Sequence, residues 1–182
     1  MERVARQRNQ TQIIMHAKRV LPLSLLYNAG GAIKGRTRFQ KLAFLADQQL
    51  QDEGMDPYDF IPYDYGPFDK DLYETLEYLE DQGLVRSETT LTYGGDERYD
   101  YYLTKIGKER YSENLPIEAD ECTSLTEEDL PDVQSEGKLR FIKLHRISKS
   151  VVEDYGDIPI TNLLDMIYEE YPQYAENSVL TG

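Results

Sequence analysis

One cysteine, two histidines and no tryptophan stand among the 182 residues. A lone Cys122 excludes a disulfide framework and any multi-cysteine zinc site. His16 and His145 are isolated from each other and read as surface or packing histidines rather than general bases. No apolar run approaches the ~20 residues that a membrane helix needs. The first eight residues carry positive charge with no apolar stretch behind them, unlike a secretory signal. No G-x-G-x-x-G or Walker pattern occurs, and Asp56, Asp59, Asp64, Asp69 and Asp71 do not match a calcium-binding loop. These absences lead to the expectation of a cytoplasmic protein that is not an enzyme and carries neither metal nor cofactor.

Basic charge is also scarce. Twenty Lys and Arg face thirty-four Asp and Glu, a formal net charge of −14. The balance is uneven along the chain. Residues 1–50 carry +7, 51–110 carry −10, 111–137 carry −9, 138–150 carry +5 and 151–182 carry −7. Two basic islands therefore survive in an acidic chain. One reading of the acidity is a surface for a partner, or a nucleic-acid mimic. The favoured one is a halophilic organism, whose molar-salt cytoplasm is met by hydrated carboxylates and few Lys; Arg outnumbers Lys by eleven to nine. At ~1 M salt the Debye length is only ~3 Å, so self-repulsion is screened.

Periodicity predicts a helix over 10–30, with Ile13, Ile14, Ala17, Val20 and Leu21 in helical spacing. Pro22 interrupts it, Leu23, Leu25 and Leu26 resume it, and Gly30-Gly31 ends it. Thr37 and Gln40 form a capping-box pattern opening a second helix, with Phe39, Leu42, Ala43, Ala46 and Leu50 inward and Lys41 outward. A third helix follows Gly66-Pro67, with Phe68, Leu72, Leu76 and Leu79 on one face and Gly83 at its end. Tyr58, Tyr63 and Tyr65 are expected to pack the loop before it. Leu84–Thr92 and Arg98–Leu103 read as a hairpin around Tyr93-Gly94-Gly95-Asp96, and Thr104 caps a short helix over 105–112. Residues 113–137 read as an acidic linker, in which Leu125 and Leu130 allow a short turn. Two helices follow, at 138–153 and 160–171, the second stopped by Pro172. The predicted fold class is α+β and mostly helical: a winged helix-turn-helix with two additional C-terminal helices. The expected division is an N-terminal extension at 1–21, the winged domain at 22–112, the linker at 113–137, and a helical pair at 138–182 packed on the winged domain.

Three stretches carry a resemblance. Ile33-Lys34-Gly35-Arg36-Thr37-Arg38-Phe39-Gln40-Lys41-Leu42-Ala43-Phe44-Leu45 resembles the G-R-x-x-x-Q-K-L-x-F-L start of YwgA-like proteins. Tyr63-Asp64-Tyr65-Gly66-Pro67-Phe68-Asp69-Lys70-Asp71-Leu72 resembles their Y-G-P-Y-S-x-x-L element, which is also similar to SocA-type (Panacea) antitoxin domains. Residues 160–180, with Tyr171-Pro172-Gln173-Tyr174, resemble their Y-x-x-Y-P-x-Y tail. The resemblance implies a winged-helix fold and brings no catalytic residue with it.

Two functions fit these readings. The first is a dimeric, DNA-binding regulator of transcription. Lys34, Arg36, Arg38 and Lys41 would hold phosphates at a helix N-terminus, the third helix with Lys70 would lie at the groove, and Arg86 and Arg98 would act from the wing. The six carboxylates flanking that helix (Asp69, Asp71, Glu74, Glu77, Glu80 and Asp81) oppose a phosphate-lined groove. The second function is a protein-interaction module, an antitoxin or adaptor that grips a partner protein. Tyr93, Tyr99, Tyr101 and Tyr102 read as strand packing or a dimer surface. The five cations of 138–150 either extend the phosphate surface or, the favoured reading, pair with the acidic linker or the third helix within the same chain.

Overall fold

The structure is a computed structural model that describes residues 17–115 and 135–180. The readings placed on Ile13, Ile14, His16, Cys122, Leu125 and Leu130, and on most of the extension and linker, lie outside the described residues. Within them the elements run α1 (17–28), β1 (Ala32–Lys34), α2 (Arg36–Asp52), β2 (Ile61–Tyr63), β3 (Gly66–Phe68) and α3 (Lys70–Asp81). There follow β4 (Val85–Leu91), β5 (Glu97–Leu103), α4 (Lys105–Ser112), α5 (Ser135–Tyr155), α6 (Ile160–Glu170) and a 3-10 turn (Pro172–Tyr174). The fold class is α+β, mostly helical, with two small antiparallel sheets.

Helix α2 is the axis of the molecule. Every residue from Phe39 to Asp47 is buried, because β1, β3, β5, α5 and α6 all lie against it. The one-sided helix expected from its apolar stripe is therefore corrected: Lys41, placed outside, is 2% exposed. The capping box is corrected as well. Gly35 is the N-cap, without a side-chain cap, and Thr37 lies inside the helix.

Helix α1 runs through Pro22 without a break. Proline lacks the N–H that would bond the carbonyl four residues earlier, at Lys18. The buried Tyr58 hydroxyl donates to that carbonyl at 2.6 Å. A hydroxyl from the loop after α2 thus replaces the missing helical bond.

Helix α3 opens on Asp69, whose carboxylate accepts from the Asp71 N–H at 2.8 Å, and buries Leu72, Leu76 and Leu79. Phe68 belongs to β3, not to this helix. The end is a Schellman turn: the Gly83 N–H donates to Glu80 O and the Leu84 N–H to Leu79 O, with Gly83 at φ +71°. Strands β4 and β5 form the expected hairpin, with Val85 opposite Leu103 and Leu91 opposite Glu97. Strand β1, which is too short to show a period, pairs with β5 and completes a sheet of order β1-β5-β4.

Thr104 caps α4 through the Gly107 N–H, and Gly107 is needed because a Cβ there would meet Leu84 O at 2.1 Å. Ser24 of α1, Tyr111 of α4 and His145 of α5 join these three helices. The Tyr111 hydroxyl donates to Ser24 Oγ at 2.6 Å and lies 2.9 Å from His145 Nδ1, all within the core.

Candidate functional site

The three stretches that carry the family resemblance meet on α2. The Gln40 amide donates to Asp69 O at 2.8 Å and its oxygen accepts the Asp69 N–H at 3.1 Å. Lys41 Nζ donates to Pro67 O at 2.8 Å. Gln-Lys therefore clamps the Tyr-Gly-Pro element onto the central helix. Gly66, at φ +80°, lets Tyr168 of α6 close over it; a Cβ there would sit 3.0 Å from the ring. One turn further along α2, the Phe44 ring meets Tyr171 at 5.0 Å and Tyr174 at 4.8 Å. These motif residues build the scaffold, and chemistry with a ligand falls to their exposed neighbours.

Those neighbours line a cleft of about 1150 Å³ beside the start of α2. Five cations border it, Lys34, Arg36, Arg38, Lys41 and Arg98, against the carboxylates of Glu97, Glu153 and Asp157. Their states differ. Arg38 donates to Gly156 O at 2.8 Å and to Ile158 O at 2.7 Å, which fastens the α5–α6 connection to α2. Lys41 is buried, and desolvation lowers its ammonium to about 7. For Lys41 the phosphate-contact reading is corrected, since its ammonium is buried against a carbonyl, whereas Arg38 commits Nη1 to carbonyls of its own chain.

Arg98 stands close to the hairpin turn, the second residue of β5 and opposite Thr90, and grips Asp100 through Nε and Nη2, both at 2.8 Å. Asp100, held below the usual carboxylate range first by that bond, also accepts the Gly35 N–H at 3.0 Å. Arg86 is exposed, stacks 4.5 Å over Tyr102 and pairs with Glu88. Lys70 is exposed and stands 3.7 Å from Glu74.

Lys34 and Arg36 remain. Both are exposed, and neither has a carboxylate partner among the described residues. Arg36 is nonetheless held in place. Its guanidinium lies 3.6 Å over the Tyr99 ring and 5.1 Å from that of Tyr73, and Nε donates to the Tyr101 hydroxyl at 3.3 Å. Tyr73 gave no signal in the sequence, because on α3 it falls outside the apolar stripe. Tyr63 and Tyr65, expected to pack a loop, sit on the β2–β3 hairpin and are about half exposed at 49% and 50%. Tyr58 alone of those three is buried.

In the second basic island Lys143 pairs with Glu53 at the end of α2 at 2.6 Å. Among the described residues no cluster of His, Cys, Asp and Glu is placed to hold a metal ion, and no helix is long and apolar enough to cross a membrane. No protein-family model matches the chain, and no curated protein matches it.

Proposed function

We propose that the chain is a winged-helix interaction module whose partner is a protein, in the manner of an antitoxin or adaptor. The order α1-β1-α2-β2-β3-α3-β4-β5, with β1 joining β4 and β5 in one sheet, supports the winged-helix assignment. One observation carries the choice of partner. Of the seven cations expected to hold phosphates, Arg38 and Lys41 donate to carbonyls and Arg98 to the buried Asp100, while the exposed Lys70 and Arg86 each stand beside a surface carboxylate. Meanwhile α3, the helix that would enter a groove, presents Glu74, Glu77, Glu80 and Asp81 to solvent. Affinity for DNA comes largely from neutralised phosphates, and this face supplies repulsion instead. A carboxylate-bearing helix suits a basic protein surface.

DNA binding is the second reading, favoured by the unpaired Lys34 and Arg36. Native-cell purification in high salt tests the choice, together with fluorescence anisotropy on mixed-sequence DNA. The expected result is one stoichiometric protein partner, lost in a Glu74→Lys/Glu77→Lys variant, and no DNA binding at low salt. DNA binding that weakens in Arg36→Ala, with a salt slope smaller by about one phosphate, would overturn it.

A further inference from the structure

Beyond the partner-binding face, the cleft at the start of α2 has the make-up of a small-molecule site. One end is cationic, with Lys34 and Arg36 unpaired. From there a continuous aromatic wall runs along the cleft. Arg36 lies against Tyr99 and Tyr73, the Tyr73 ring meets Phe68 at 5.6 Å, and Phe68 stacks on Tyr63 at 4.9 Å with 28° between planes. All of these residues line the same cavity. Its volume of about 1150 Å³ is ample beside the ~300–1,000 Å³ typical of small-molecule sites.

The chemistry of the two ends names the ligand class. Arg36 spends only Nε on Tyr101, and its two terminal nitrogens have no partner among the described residues. Two aromatic rings fix the guanidinium plane, so little side-chain freedom is left to lose when a bidentate anion arrives. Two unneutralised cations match a dianion, and a phosphate monoester concentrates both charges on one head group and carries an organic body. A half-exposed Tyr63 backed by Phe68 offers that body a flat apolar face. We infer that the cleft binds a free nucleoside monophosphate, with its phosphate on Arg36 and Lys34 and its base against Tyr63.

Isothermal titration calorimetry on the full chain tests this, with AMP, GMP, CMP and UMP as probes and inorganic phosphate and adenosine as partial ligands. The titrations run in about 0.5 M KCl, where surface repulsion is screened. At least one monophosphate is expected to bind ~tenfold or more tightly than either inorganic phosphate or adenosine. Arg36→Gln is expected to lose at least ~tenfold in that affinity, the worth of a charge-assisted bidentate contact. Lys34→Gln alters an exposed side chain and is expected to weaken binding with the melting temperature unchanged, and Tyr63→Ala is expected to weaken binding as well. The proposal is overturned if no monophosphate binds, or if inorganic phosphate binds as well as the nucleotides. It is also overturned if both Lys34→Gln and Tyr63→Ala bind like the wild type, or if only a single-stranded oligonucleotide binds. None of these outcomes bears on a protein partner held at α3.

Discussion

Asp47 and His145 are both buried in the core, at 0% and 2% exposure, and burial acts on them in opposite directions. Desolvation raises the Asp47 carboxyl to about 7, although the Tyr58 N–H and the Gln51 amide donate to it. Desolvation lowers the His145 imidazole to about 4, with Lys149 adding to the effect. For Asp47 the folded value lies above the unfolded one, so its contribution is complete below pH ~4 and fades as pH rises towards 7. The His145 value lies below its unfolded one, so that contribution is complete above pH ~6.5 and is lost as pH falls through 4. Between those limits the two slopes oppose. Asp47→Asn removes one of them, and we expect the variant to lose about 3 kcal/mol between pH 7 and pH 4 in urea unfolding, against much less for the wild type. Adding His145→Gln should flatten the remaining slope, and equal slopes in wild type and Asp47→Asn would refute the pairing. Neither group was legible in this role. His145 could be read as a packing residue from its isolation, but Asp47 interrupts an apolar helix and gave no sign that α2 is enclosed on every side. The same enclosure turned Lys41 inward, where a helical wheel places it in water.

At the scale of the element, the sequence shows best where local chemistry decides. Thr104 as a cap, Gly83 as a helix stop and the Gly94-Gly95 hairpin follow from backbone conformations that only a few residue types satisfy. Elements made by tertiary contact were not readable: β1 and the β2–β3 pair are three residues each, too short to display an alternation. At Lys41 the phosphate reading gives way for a related reason, since its ammonium meets the carbonyl of Pro67, 26 residues away, and Arg38 likewise turns Nη1 to a carbonyl 120 residues away. Pro22 shows how a local rule yields to such contact. A proline predicts an interruption, and α1 avoids it because Tyr58 supplies the bond that Lys18 O lacks. Tyr58→Phe is therefore expected to cost about 1–2 kcal/mol in chemical denaturation. In a Pro22→Ala background the new N–H can bond Lys18 O, and the same change should cost clearly less. Equal costs in the two backgrounds would show that the hydroxyl does not stand in for the helical bond.

Across the whole molecule, the charge of −14 acts on a fold whose interior pairs are already made, so the uncompensated carboxylates collect on the outside. Helix α3 shows this most plainly: Glu77 and Asp81 are exposed with no cation paired to them among the described residues, and no basic residue stands in its last turn to answer the negative end of the helix. Such a surface is held together more easily as salt rises, because the Debye length falls from ~10 Å at 0.1 M to ~3 Å at 1 M. Melting temperature should therefore climb over that range, alike in KCl and NaCl, since screening depends on ionic strength rather than on the cation. Salt also strengthens apolar burial in any protein, so the rise alone does not isolate repulsion. A Glu77→Gln/Asp81→Asn variant does. Relieved of two like charges near a helix end, it should be about 1 kcal/mol more stable than the wild type at low salt. Its advantage should shrink towards zero at ~1 M, where the remaining charges no longer sense one another. Should the variant be less stable at low salt, those carboxylates would be stabilising groups, and the acidity of α3 would need an explanation in bonds within the chain rather than in solvation or a partner.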